Sequence, residues 1–410
     1  MLKNFIDNYI NAYKGISPTI WFLSIVIFIN RSGTMVLFFL SLYLTQKIGF
    51  SIPFAGKMLS VYGIGSLLGA YLGGWASDKI GAVRVQLTAL AISGGLYMIF
   101  ILWENPIAII INLFFLGLIA ESIRPATTTA IVQHSSPETR TRAFAVQRLA
   151  VNLGIAVGPA IGGFIARINY DFLFIIDGLT CLIAAIVLYI FMKTKLKTIS
   201  HIKEKSVKVK VNPFTDKIFV LLILFAFLMG ICFLQIISTW PLFLKNIYKI
   251  NESGIGLLLT INTILIVLIE IPLIHRLEKK NKFPIMALGA ILLCFGFGIL
   301  PFGSTYGFVA FSLIFWTLGE IIIFPNLSAS VSERASENNV GKYMGIYSFA
   351  FALAFSFAPT VGTFIYDKFS PTILWLTIGG IGIVISLGFL ILNKLVQKEK
   401  TSQVLTTSEV

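Results

Sequence analysis

Polar chemistry is scarce in this sequence. Only 12% of its 410 residues are charged, and it holds three cysteines and three histidines. Cys181, Cys232 and Cys294 each stand alone in an apolar run, without the spacing of a metal site or a disulfide framework, and read as small core residues. His134, His201 and His275 fall at the ends of apolar runs or between them, so a histidine proton relay deep in such a run is not expected. A nucleophile, a metal cluster and a cofactor motif are also lacking. The expectation is therefore a protein that is not an enzyme and uses no cofactor or metal. The first apolar run follows Lys3, Asp7 and Lys14 and is too long for the core of a cleavable signal, so it is expected to do the targeting itself.

Acid is scarcer than base, 18 residues against 32, for a net charge of +14. Nucleic acid would be one partner for such an excess, but the positions of the basic residues argue against it. What the sequence has in abundance is apolar length, with 57% hydrophobic residues and a mean hydropathy of +0.89, outside the soluble range. Runs near the roughly 20 residues that cross a bilayer recur from Pro18 to Asn393. Twelve transmembrane helices are predicted, at about 18–45, 54–76, 84–103, 106–132, 143–167, 172–192, 217–244, 253–275, 283–302, 307–331, 341–366 and 372–394. Most basic residues then share one side, crowded by Lys193, Lys195, Lys197, Lys203, Lys205, Lys208, Lys210 and Lys217. That is the bias of inner loops, and it puts both termini in the cytoplasm of a bacterial inner membrane protein.

The fold class is thus an all-α membrane protein, and a repeat divides it. Sliding the chain by 200 residues superposes Gly56 on Gly256, Asp78 on Glu278, Lys79 on Lys279, Pro125 on Pro325, Arg142 on Lys342, Pro159 on Pro359 and Gly162 on Gly362; Glu121 meets Glu320 one residue out of step. Two six-helix bundles related by a parallel pseudo-two-fold repeat are expected, with a substrate site between them near mid-depth. The predicted boundaries are an N-terminal interfacial segment (1–17), a first bundle (18–193), a basic cytoplasmic linker (194–216), a second bundle (217–394) and a cytoplasmic tail (395–410). Leu2, Phe5, Ile6, Tyr9, Ile10 and Tyr13 recur at helical spacing in the first segment, and VKVKV at 207–211 is too short to predict a strand.

Three stretches carry finer signals. RLAVNLGIAVGPAIGG, from Arg148, puts Gly154, Gly158, Pro159, Gly162 and Gly163 where a helix is usually built from larger residues, which predicts a kinked helix with a face open to backbone contact. Its reduced copy is Ala358, Pro359, Gly362 and Thr363, so the two helices are expected to act as paired pivots, the first sealing more tightly. GGWASDKIGAVR, residues 73–84, and ESIRPA, residues 121–126, complete the set.

These stretches resemble the major facilitator superfamily, in particular its twelve-helix bacterial drug/proton antiporter branch. Gly74, Asp78, Lys79 and Gly81 match the family's loop signature, with Ala82 where an arginine is usual; the glycine stretch matches its fifth-helix signature. The resemblance implies alternating access, a conformational latch at Gly74, Asp78, Lys79 and Gly81, and a cavity lined by helices 1, 4, 7 and 10.

Charge inside a span costs about 2.5–3.5 kcal/mol at mid-bilayer, so such residues mark function. Glu121, Glu320 and Asp177 are candidates for proton coupling, with Glu270 behind them; Arg31, Arg124, Gln235 and Trp240 are candidates for lining a substrate cavity. Glu121 and Arg124 share a helical face, where a carboxylate can alternate between an ion pair and a protonated state. The expected function is proton-coupled export of small, drug-like organic compounds. The alternative is uptake or export of an anionic metabolite or carboxylate siderophore, with Arg31 and Arg124 as anion contacts. Expected partners are the small-molecule substrate, protons and the lipid bilayer, not nucleic acid, and the protein is expected to be monomeric.

Overall fold

The computed structural model describes residues 16–136, 139–195, 213–277, 280–335 and 339–408. The 2–13 segment, most of the basic linker with its 207–211 alternation, His201, Glu278 and Lys279 lie outside them. Every regular element among the described residues is helical, and they form twelve rods: α1 (Pro18–Lys47), α2 (Ile52–Ile80), α3 (Ala82–Phe100), α4 (Pro106–His134), α5 (Arg140–Ile168), α6 (Asp171–Lys195), α7 (Lys217–Phe233 continued by Thr239–Asn246), α8 (Glu252–Leu277), α9 (Lys282–Gly298), α10 (Tyr306–Glu333), α11 (Val340–Lys368) and α12 (Pro371–Ser408). Eleven of these are both long and apolar enough to cross a membrane. The twelfth, α2, has the length at 29 residues but is diluted by six glycines and by Lys57, Asp78 and Lys79.

Helix starts follow from local chemistry. Ser17, Asn105, Asp216, Asn281 and Thr305 each accept a hydrogen bond from a backbone N–H of the first turn they precede, and Pro18 and Pro106 begin helices where no donor is lost. Gly81 alone joins α2 to α3, at φ +97, a conformation that disfavours any side chain, which gives the loop signature's last glycine its physical reason. The outer surface is apolar: Ile168 is 78% exposed and Leu268 66%. Such a surface needs lipid rather than water around it, and the chain is a multi-pass membrane protein.

Two predicted spans are not continuous helices. α1 runs as a helix over Pro18–Ser32, is interrupted at Gly33–Met35, resumes over Val36–Leu42 and widens into a π-helical turn at Tyr43–Lys47. α7 breaks through a tighter 3-10 turn at Leu234–Ile237. By contrast, Pro159 lies within an unbroken run, since a proline costs one donor and neighbouring helices can absorb the strain.

Contacts divide the chain into two compact units, here taken as far as residues are described. One comprises the chain up to Gly49, Val61–Ser200 and Glu252–Thr260; the other comprises Phe50–Ser60, His201–Asn251 and Ile261–Val410. In the first, α3 packs on α4 and α6, and α1 on α5 and α6; in the second, α9 packs on α10 and α12, and α7 on α11 and α12. The 200-residue offset holds down to single hydrogen bonds. Asn112 Nδ2 donates to the Leu96 carbonyl at 3.3 Å, and Ser312 Oγ donates to the Gly296 carbonyl at 2.6 Å. It holds again where a helix start meets a glycine helix. In the first unit a Cβ on Gly256 would lie 2.4 Å from the Pro159 carbonyl oxygen, and in the second a Cβ on Gly56 would lie 2.7 Å from that of Pro359.

Candidate functional site

In the first unit the glycines of α5 serve the break in α1. A Cβ on Gly154 would stand 2.5 Å from Arg31 Cβ, one on Gly158 3.1 Å from the Thr34 carbonyl oxygen, and one on Gly162 2.9 Å from Met35 Cβ. Gly163, on another face, meets Gly256 and the Glu252 carbonyl of α8. The motif therefore seats the interrupted backbone of α1 and the start of α8. The small-residue face of α5 is filled by Arg31–Met35.

Asp177 of α6 completes that seat. It is 1% exposed, and its carboxylate accepts from the backbone N–H groups of Met35 at 3.2 Å and Val36 at 3.0 Å. The Met35 N–H also donates to the Gly33 carbonyl at 2.8 Å, whereas the Val36 N–H, at the restart of the helix, has no backbone acceptor among the described residues. Asp177 thus acts as a remote N-cap for the second part of α1.

Around this break lie the other polar groups of the unit. Glu121 pairs with Arg124 at 2.9 Å along one face of α4, with 22% and 59% of their side chains exposed. Arg31 forms no ion pair or hydrogen bond among the described residues, and its Nε is buried without a partner. Tyr62 of α2 lies within electrostatic reach of Glu121, Arg31 and Asp177, and Tyr97 of α3 within that of Tyr62, Asp177, Cys181 and Arg31. Asn30 donates to Cys181 Sγ at 3.3 Å. Arg31, Glu121, Arg124 and Asp177 are thus gathered in one unit. Tyr62, Tyr97 and Asn30 were not singled out in the sequence, where a tyrosine or asparagine in an apolar run was the available signal.

α2 reaches α4 through a second glycine series. Cβ atoms on Gly65, Gly69 and Gly73 would lie 2.1, 2.0 and 2.6 Å from Phe114, Leu118 and Ser122. At the far end of α2, Asp78 and Lys79 are exposed and make no ion pair or hydrogen bond among the described residues, and Gly74 has room to spare.

The second unit is built differently at equivalent positions. Asn262, which repeats Tyr62, donates to Thr317 Oγ1 at 3.0 Å and to Glu320 Oε2 at 3.1 Å. Gln235 sits in the α7 break, 1% exposed, with its amide donating to the Ile231 and Ala358 carbonyls and its oxygen accepting from Ser238 and Thr239. A Cβ on Gly362 would lie 1.9 Å from that oxygen. Trp240 is wholly buried, edge-on to Trp316, whose ring stacks on Phe297. Neither residue presents free surface to a cavity in this structure. Here Gln235 is engaged in satisfying a helix break, and Trp240 packs among aromatic side chains.

One further cluster ties helix ends together. Arg334, after α10, donates from Nε to Asp216 at 2.7 Å and from Nη1 to Glu399 of α12 at 2.7 Å, while Asp216 also caps α7. Burial alone would lower the guanidinium pKa, but the hydrogen bonds to Glu399 and Asp216 outweigh it and raise it.

Among the described residues, no group of three or more histidine, cysteine or acidic side chains stands close enough to hold a metal. A family model described as Major Facilitator Superfamily matches residues 20–359. An uncharacterized MFS-type transporter of Bacillus subtilis, YqjV, is 23% identical over 382 residues, covering 90% of this chain and 92% of its own. Multidrug resistance protein 2 of the same organism is 26% identical, covering 76% and 80%, and a Na(+), Li(+), K(+)/H(+) antiporter of Planococcus maritimus is 21% identical, covering 81% and 85%. The fold matches the crystal structure of a POT family transporter in complex with 5-aminolevulinic acid, with a TM-score of 0.79 at 17% identity, over 93% of this chain and 97% of that one.

Proposed function

The chain belongs to the major facilitator superfamily, and from that premise we propose that it is a proton-coupled exporter of small organic compounds across the bacterial inner membrane. The observation that carries the reading is the Glu121–Arg124 pair, placed within a membrane helix with its arginine half-exposed. A charge pair at that depth is costly if idle. With substrate held at Glu121, the carboxylate takes a proton from the outer side and lets the substrate go. Loss of that proton toward the cytoplasm restores the carboxylate for loading. Proton and substrate compete for one group, so each drives the other's exit.

Related proteins named for multidrug resistance and for cation/proton antiport support both halves of this reading. Glu320, held by Asn262, is the second carboxylate in line. Asp177 is assigned to holding α1 rather than to proton traffic, and Asp78 with Lys79 to a latch that engages in another state of the cycle. Alternating access by a monomer, with transport rather than catalysis as the outcome, completes the reading.

The test is the purified protein in liposomes under an imposed pH gradient, screened against cationic dyes and organic acids. Glu121→Gln should lose gradient-driven flux while unfolding at the wild-type temperature. Driven flux at the wild-type rate in that variant would refute the assignment.

A further inference from the structure

The proton-exchange reading leaves Arg31 unexplained. Its guanidinium sits midway along α1, its stem pressed on Gly154, and it has no carboxylate or carbonyl partner among the described residues. Arg124 of α4 already has Glu121. A bare guanidinium in a membrane span is expensive, and its five donors can be answered only by an acceptor that arrives from elsewhere. Tyr62 lies within electrostatic reach of Arg31 and Glu121 alike, so the unpaired positive charge and the paired carboxylate neighbour the same phenol. In the Glu121–Arg124 pair 59% of the arginine side chain is exposed against 22% of the carboxylate's, so Arg124 is the partner that can swing away and leave Glu121 to another cation.

We infer that the transported compounds are zwitterionic, with a carboxylate or similar oxyanion bound by Arg31 and a cationic amine that takes the place of Arg124 at Glu121. The inference rests on the proton-exchange reading. A substrate that competes with a proton for Glu121 must offer it positive charge, and a substrate that answers Arg31 must offer negative charge. A compound with the positive group alone leaves Arg31 bare. One with the negative group alone has nothing with which to displace the proton.

The test uses the full chain in nanodiscs of phosphatidylcholine, with three probes: 4-(aminomethyl)benzoic acid, its methyl ester and its N-acetyl derivative. Labelling of Arg31 by phenylglyoxal is followed by mass spectrometry, and binding by calorimetry. The free acid and the N-acetyl acid should slow Arg31 labelling and the ester should not, with the free acid binding tightest of the three. Arg31→Gln should weaken the free acid about ten-fold or more, the worth of one hydrogen-bonded ion contact, leaving the ester unchanged. Arg31→Lys keeps the charge and guards against a folding defect; it should retain the preference for the acids. Three results would overturn the inference: an ester that binds as tightly as the acid, no protection of Arg31 by either acid, or equal protection by phosphatidylglycerol nanodiscs alone, which would make the anion a lipid headgroup. Binding needs no gradient, so a failure of proton exchange alone leaves these results intact.

Discussion

At the scale of single residues, the glycines of α5 are the sharpest case. The sequence marks Gly154, Gly158 and Gly162 as a face open to backbone contact, and the structure fills that face with Arg31–Met35. Small residues announce that something approaches; they do not say what, which is why a pivot between repeated helices was expected and a seat for a broken one was found. Gly154→Leu should therefore push Arg31 out of position and cost about 1–3 kcal/mol in thermal unfolding. Gly95→Ala, where a new Cβ meets nothing within 4 Å, should cost almost nothing. Equal destabilisation by both would show that α5 does not seat α1. Gln235 and Trp240 illustrate the opposite limit. A polar or amphipathic residue in an apolar run reads as cavity lining until its partners are known, and here those partners are the Ala358 carbonyl and the Trp316 ring.

At the scale of elements, eleven of the twelve predicted rods meet the physical requirements of a membrane span, and the twelfth meets the length. Hydropathy counts apolar length, so it sees a span and not an interruption inside one. The break in α1 is made by Gly33 locally and by Asp177 from a helix more than 140 residues away, information no window along the chain contains. Asp177 itself was legible as an intramembrane carboxylate and drew a proton-coupling role. Its two backbone donors instead fit a cap. Asp177→Asn, which keeps one acceptor oxygen, should fold and retain gradient-driven flux, whereas Asp177→Leu should lose about 1–3 kcal/mol by orphaning the buried Val36 N–H and removing one of the two acceptors of Met35. Loss of coupling in the asparagine variant, with stability intact, would return Asp177 to the proton path.

At the scale of the whole molecule, the 200-residue repeat was the most legible feature, and it governs contacts as well as sequence. Asn112 and Ser312 make the same interhelical bond with different side chains, and Gly56 and Gly256 meet equivalent proline carbonyls. The units diverge where chemistry is concentrated: one holds Arg31 and Glu121 within electrostatic reach of Tyr62, with Arg124 paired to Glu121, while the other holds a carboxylate in neutral company, Glu320 with Asn262 and Thr317. That asymmetry was not legible, because a repeat predicts equivalent positions and not what each has been put to use for. Under the proposed function, exchange belongs to the first unit. The direct measurement is the direction of flux in proteoliposomes when the imposed pH gradient is inverted, with a zwitterionic compound at equal concentration on both sides. The account predicts net movement opposite to the proton gradient, reversing sign when the gradient is inverted and vanishing when an ionophore collapses it. Net flux that keeps its direction under both gradients, or that follows the protons, would contradict it.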